Sequence, residues 1–145
     1  MVRGVLAFIL LAIAACSPSP GSPALYQDRS VQNAVADARA FLPVFFEAWQ
    51  SESETYSDFR VTVIMPTSVH GRDYVELTDI RREFAGFIGK SSGRKEVPFL
   101  VADIADWQFK DGAQFRGGFT RRAMFDMTDA DIPNLRDRYH EDPLP

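Results

Sequence analysis

The stretch from Ser30 to Met65, SVQNAVADARAFLPVFFEAWQSESETYSDFRVTVIM, changes its hydrophobic period midway, and that change decides the fold class. Val31, Ala34, Val35, Ala38, Phe41, Leu42, Phe45, Ala48 and Trp49 recur at steps of three and four, one face of an amphipathic helix. Ser30 offers a side-chain oxygen at the helix start and is the expected N-cap. Pro43 falls inside the pattern; it lacks an amide donor and crowds the preceding turn, so the helix is expected to kink or divide there. Ser51 to Ser57 is polar and ends it. Phe59, Val61, Val63 and Met65 then alternate with Arg60, Thr62 and Ile64, a period of two that predicts a strand stopped by Pro66.

Further strands follow. Asp73 to Ile80 and Glu83 to Lys90 predict a hairpin, and Val97 to Val101 begins another strand after the turn-forming Ser91-Ser92-Gly93. Gln108 to Lys110 and Gly118 to Phe125 flank Asp111-Gly112, a second hairpin signal. Thr128 to His140 predicts a short C-terminal helix, capped at Thr128 with Pro133 in its first turns. Helix, consecutive strands, helix, without strand–helix alternation, predicts an α+β fold. The expected architecture is an N-terminal amphipathic helix packed on a curved antiparallel sheet of about five strands, with a short C-terminal helix. Phe41, Phe45, Phe59, Phe84, Phe87, Phe99, Phe119 and Phe125 occupy core-like periodic positions.

Upstream of the helix, Met1-Val2-Arg3 gives a short cationic start, and Val5 to Ala15 is an unbroken run of 11 apolar or small residues. That length fits a signal-peptide core, since a bilayer-spanning helix needs ~20 apolar residues. The run closes on Ile13-Ala14-Ala15-Cys16, which resembles the lipobox of bacterial lipoproteins, with Cys16 as the lipidated residue. The alternative is an ordinary secretory signal cleaved at Ala-x-Ala with a cysteine nearby. Ser17 to Ala24 is almost wholly Ser, Pro and Gly, an extended tether of ~3.1 Å per residue. The expected organisation is a signal peptide over 1–15, a lipidated cysteine and tether over 16–24, and one domain over 25–145. Several acyl chains would attach the chain stably to a membrane in the cell envelope, facing the periplasm. Ser17 is not the Asp that marks inner-membrane retention, so the lipoprotein resemblance points to the outer membrane.

With 16 Lys+Arg against 20 Asp+Glu the chain carries −4, which argues against nucleic acid as a partner. One cysteine and two histidines provide neither an internal disulfide nor a structural zinc site. Residues 60–122 are basic, 11 against 8, between acidic flanks. Arg72, Arg81, Arg82, Arg94, Lys95, Arg121 and Arg122 therefore form either an anion-binding face or a surface paired by overlying helices. No GxSxG, GxxxxGK[ST], GxGxxG, HExxH or CxxC motif occurs. His70 and His140 are isolated beside polar or turn residues and read as solvated. Asp126, Asp129 and Asp131 lack the register, central Gly and closing Glu of a calcium loop. No metal and no cofactor is expected.

One constellation is more specific. Asp103-Ile104-Ala105-Asp106-Trp107, then Asp111-Gly112, then Gly117-Gly118-Phe119-Thr120-Arg121-Arg122, resembles the end of the bacterial domain-of-unknown-function family 2314, the YegJ-like proteins. Earlier motifs of that family correspond to Ala38 to Trp49, Phe59 to Met65, Tyr74 to Ile80, Phe84-Ala85-Gly86 and Gly93 to Phe99, so the resemblance covers about residues 36–126. Where family members often carry Glu-His-x-Trp, this chain has Gly71-Arg72-Asp73-Tyr74, and no role passes to those positions. The resemblance implies the fold and no activity.

The candidate binding or structural motif is Asp103, Asp106, Trp107, Gly117, Gly118, Thr120 and Arg121. Paired glycines in a strand mark a bulge or a close approach, and Trp107 is the bulky neighbour expected to lie over them. Asp103 and Asp106 are expected to cap loop amides. The first functional reading is a non-catalytic domain binding an envelope protein partner; the alternative is a small envelope hydrolase with Asp103 or Asp106 as acid or base.

Overall fold

The computed structural model of the chain describes residues 24–67, 71–127 and 137–145. The signal peptide, Cys16, most of the tether, His70, Asp129, Asp131 and Thr128 to Arg136 of the expected C-terminal helix lie outside the described residues. The fold is α+β, with a six-stranded antiparallel sheet rather than five strands. The strands are β1 (Tyr56–Thr67), β2 (Gly71–Glu83), β3 (Gly86–Lys90), β4 (Glu96–Phe99), β5 (Ile104–Asp111) and β6 (Gln114–Gly117), in the spatial order β4-β3-β2-β1-β5-β6. β2 is long enough to serve two neighbours, pairing with β1 over Gly71–Leu77 and with β3 from Thr78 onward.

Three register shifts interrupt the pairing, one of them between Thr62 and Val63 opposite Ala105, and the other two bend the sheet at an aspartate. The register slips between Ser57 and Arg60 on β1 and between Thr78 and Arg81 on β2, and each slip contains an aspartate at positive φ, Asp58 at 50° and Asp79 at 49°. Asp tolerates that region better than most residues, and a bulge increases local bend and twist. Pro66 does not stop β1, which continues to Thr67. Beyond Val63 the strand has a partner on one side only, where a proline without an N–H is tolerated.

The N-terminal helix divides, as Pro43 demands, but at Phe41. Helix α1 (Arg29–Ala40) and helix α2 (Leu42–Gln50) are separated by Phe41 at φ −98°, ψ 9°, and Pro43 sits in the first turn of α2, where no amide donor is needed. The N-cap is Asp28 rather than Ser30. Its carboxylate accepts from the Ser30 amide at 2.8 Å and the Ser30 hydroxyl at 2.6 Å, and a charged acceptor also complements the positive helix end.

Parity along β1 separates two apolar clusters. Val61 and Val63 join Phe45, Leu77, Trp107 and Phe109 beneath α2, with Phe59 packed alongside. Ile64 faces the other way, toward Leu25, Tyr26, Val31, Val35, Ala105 and Met124. Helix α1 serves both, sending Ala38 to the first and Val31 and Val35 to the second. Two expected core residues are corrected: Phe84 is fully exposed at the β2–β3 turn, and Phe41, at the helix break, is 39 % exposed and stacked on Phe119 outside the core.

The largest correction concerns the return from β5. Gly118 to Phe125 is not a strand; β6 ends at Gly117, and helix α3 (Phe119–Met127) begins two residues later. Gly117 and Gly118 both have positive φ, 75° and 70°, which breaks the extended run and turns the chain into the helix. At the C-terminus, Asp137 to His140 is turn and bridge rather than helix, with Tyr139 bridging in parallel to Phe115. No helix among the described residues is long and apolar enough to cross a membrane.

Candidate functional site

The corner where β6 passes into α3 gathers most of the singled-out motif. Trp107 lies in the core at 1 % exposure and donates its indole N–H to the Ala38 carbonyl at 2.7 Å. The Gly118 amide donates to the Trp107 carbonyl at 2.8 Å, closing the corner on the tryptophan backbone. It is Gly117 that the indole covers, since a Cβ there would stand 2.6 Å from Trp107 Cε3; at Gly118 the neighbour is Tyr139.

Asp106 faces the other way, beneath the start of α3. Its Oδ1 accepts from the Trp107 amide at 2.8 Å and the Phe119 amide at 3.1 Å. Its Oδ2 accepts from the Thr120 amide at 2.9 Å and the Thr120 hydroxyl at 2.5 Å. Both oxygens are engaged at 3 % exposure, so Asp106 satisfies the orphan donors of a helix N-terminus from a neighbouring strand. Burial pushes its carboxyl up, opposed by the Thr120 hydroxyl and the three amides. Tyr26, buried close by, is pushed up to about 12, again by burial. Asp103 stands apart: its Oδ2 accepts from the Leu100 amide at 2.8 Å, closing the turn before β5.

Arg121 also leaves the corner. It reaches from α3 across the sheet to Glu76, at 2.5 Å, and enters a layer of polar side chains that sequence reading had not assembled. Arg60 grips Asp58 with two bonds of 2.8 Å and reaches Glu76 at 3.1 Å. That grip holds the Asp58 carboxyl below its ordinary value, with burial opposing. Gln108 accepts from the Tyr139 hydroxyl at 2.7 Å and its amide reaches Glu76 at 3.4 Å. Asp58, Arg60, Gln108, Arg121 and Tyr139 line a pocket of about 430 Å³ that also takes in Lys110, Phe115, Phe125 and Arg138. A second pocket of about 210 Å³, with Tyr26, Thr62, Tyr74 and Glu76, shares Arg121 and Phe125 with the first.

The basic residues thus do not form one continuous face, and the helices do not cover them. Arg81 pairs with Glu83 and Glu96, and Lys90 with Asp79, all within the strand region. Arg122 donates to the backbone carbonyls of Gly117 and His140. His140 is half-buried, its Nε2 placed 3.1 Å from the Asp111 backbone oxygen and 3.8 Å from its carboxylate. Among the described residues, no group of three or more His, Cys, Asp or Glu is arranged to hold a metal ion. The pocket residues do have a sequence signal: Arg60 and Thr62, Tyr74 and Glu76, Gln108 and Lys110 are the polar partners in period-two strands. No family model matches the chain, and no curated protein and no solved structure matches it.

Proposed function

We propose that the chain is a bacterial envelope lipoprotein, anchored through Cys16 and facing the periplasm, whose α+β domain binds another envelope component without catalysing a reaction. The observation that carries the binding reading is the engagement of the two candidate acids. Asp106 has both oxygens closed beneath α3, and Asp103 is bound to a turn amide. A general acid or base has to present a proton or a lone pair to a substrate within a cleft; Asp106 is closed off at 3 % exposure, and Asp103, which borders a separate pocket of about 440 Å³ beside Phe84 and Leu100, has its Oδ2 held by the Leu100 amide. The polar pocket instead offers fixed charges and aromatic rings, which suits recognition. The anchor reading rests on Ile13-Ala14-Ala15-Cys16 and the Ser/Pro tether, and the absence of Asp at position 17 favours the outer membrane. The kinship with family 2314 rests on motif order alone.

Two measurements test this. Cys16→Ser should abolish incorporation of labelled palmitate and release the chain from the membrane pellet; wild-type recovery in the pellet with unchanged mass overturns the anchor. A photo-crosslinking residue at Ala113, on the exposed rim of the pocket, should capture one envelope component in intact cells, while the same probe at exposed Arg94 on the β3–β4 turn should not. Equal capture from both positions overturns the pocket as the binding surface.

A further inference from the structure

We propose that the pocket between α3 and the β5–β6 hairpin takes a phosphate ester carried on an apolar or aromatic body. This names the ligand class for the binding role above and rests on that role. The charge count is the first support. Among the described residues, Arg60, Lys110, Arg121 and Arg138 line the pocket, and the carboxylates paired with them are Asp58 and Glu76. Two positive charges are left over, which matches the ~1.5 to 2 negative charges of a phosphomonoester near neutral pH.

The cations also differ in how firmly they are held. Arg60 is clamped by Asp58 and Glu76 and cannot turn without breaking three short bonds. Lys110 is looser, 3.7 Å from Asp58, and Arg138 is exposed and forms no ion pair among the described residues. The clamped guanidinium fixes the field of the pocket floor, while the two loose side chains can close on a ligand at small cost in existing pairs. Such pre-set charge in a concave site strengthens attraction of an anion.

The apolar part of the ligand follows from the other wall. Phe115 carries Arg60 and Lys110 each 5.4 Å from its ring centroid, and Tyr139 lies 5.6 Å away at a tilt. The Tyr139 hydroxyl is bound to Gln108, which fixes that ring. Phe125 completes the lining. Rings held beside cations offer a ligand a flat apolar surface next to its charge. Volume makes the same distinction. About 430 Å³ lies in the range of small-molecule sites, ~300–1,000 Å³, whereas a bare phosphate fills the space of a few waters at ~30 Å³ each.

The full chain in nonionic micelles, titrated by calorimetry and followed by amide NMR, tests the proposal with phenyl phosphate and inorganic phosphate as probes. Phenyl phosphate should saturate with a Kd of about 1 mM or tighter, shifting amides of β6 and α3, and should bind at least about tenfold more tightly than inorganic phosphate. The double variant Lys110→Gln, Arg138→Gln should weaken it about tenfold with an unchanged unfolding midpoint, because both side chains are on the rim. Absence of saturation, equal binding of the two probes, or unchanged affinity in the double variant overturns the proposal. A soluble short-chain phosphatidylglycerol separates the sources. Displacement of phenyl phosphate assigns the site to a lipid headgroup, and its failure assigns the site to a soluble phosphoester. If phenyl phosphate does not saturate while the Ala113 crosslink persists in cells, the ligand class falls and the binding role stands.

Discussion

Gly117→Ala puts the heaviest load on the corner between β6 and α3. A Cβ at that position would lie 2.2 Å from the Trp107 carbonyl oxygen, 2.6 Å from Cε3 and 2.8 Å from Cζ3. Carbon atoms at rest stand ~3.5–4 Å apart, so something has to move by about 1 Å. The indole has no room, since its ring lies 5.8 Å from Phe45 and 6.0 Å from Phe109 by centroids and its N–H is fixed on Ala38. The carbonyl belongs to β5, which pairs with β1 on one side and β6 on the other. Alanine at φ 75° adds ~1–2 kcal/mol of backbone strain, and overpacking adds ~1–3 kcal/mol. The total is about 3 kcal/mol or more, against a domain stability of ~5–15 kcal/mol. At a urea dependence of ~1.5 kcal/mol per molar, the midpoint of the purified chain should fall by ~2 M. A double-mutant cycle identifies the obstacle. Because the backbone oxygen is the nearest atom, Gly117→Ala should stay costly after Trp107→Ala has removed the ring. A loss below about 0.5 kcal/mol for Gly117→Ala refutes the close approach.

The remaining expectations concern the core, the acid limb and the helix cap. Phe45→Ala should cost ~3–5 kcal/mol by leaving a cavity among Phe59, Trp107 and Phe46, while Gln32→Ala, on the outer face of α1, should cost at most ~1 kcal/mol through its bond to the Tyr26 carbonyl; equal shifts in thermal midpoint would contradict the assigned faces. Asp58 has its folded pKa below its ordinary 3.8, so the stability it adds is complete above that value and is lost as pH falls through the lower one. Asp58→Asn should therefore flatten the decline of the urea midpoint below about pH 4, and an unaltered profile would remove the Arg60 clamp from the account. Asp106→Asn keeps the volume but puts an NH2, which cannot accept, opposite donors that faced a carboxylate oxygen, at ~1–3 kcal/mol, whereas Asp103→Asn at the exposed turn should cost less. Denaturant midpoints for the two variants check it, and an equal or larger loss for Asp103→Asn contradicts the role of Asp106 beneath α3.

What could be read from the sequence was what has a period. The α+β class, the division forced by Pro43, and the Trp107–glycine approach all follow from spacing or from the chemistry of one residue type. Three features do not. The Gly117-Gly118 pair reads equally as a strand bulge or as the end of a strand, and only the placement of Asp106 beneath the next amides selects a helix. Phe84 fits the core pattern by alternation but falls in the β2–β3 turn, where parity no longer points inward. The polar pocket draws on residues from Asp58 to Tyr139, and apart from Asp58–Arg60 no local window contains its ion pairs.

The alternation of β5 explains how architecture and site share one strand. Trp107 and Phe109 point into the core under α2, while Asp106, Gln108 and Lys110 point to the opposite face. Along that face exposure rises toward the hairpin, from 3 % at Asp106 and 4 % at Gln108 to 39 % for the Lys110 side chain. The order matches the cost of burying each group. The carboxylate at the closed end needs all four of its bonds, and helix α3 supplies three of them. The neutral amide in the middle relays between Tyr139 and Glu76. The ammonium at the open end keeps part of its surface in solvent, beside Asp58 and the Phe115 ring. Since α3 starts on Asp106 and carries Arg121 and Phe125 to the pocket, the buried end of the strand sets the position of the pocket wall that its open end completes.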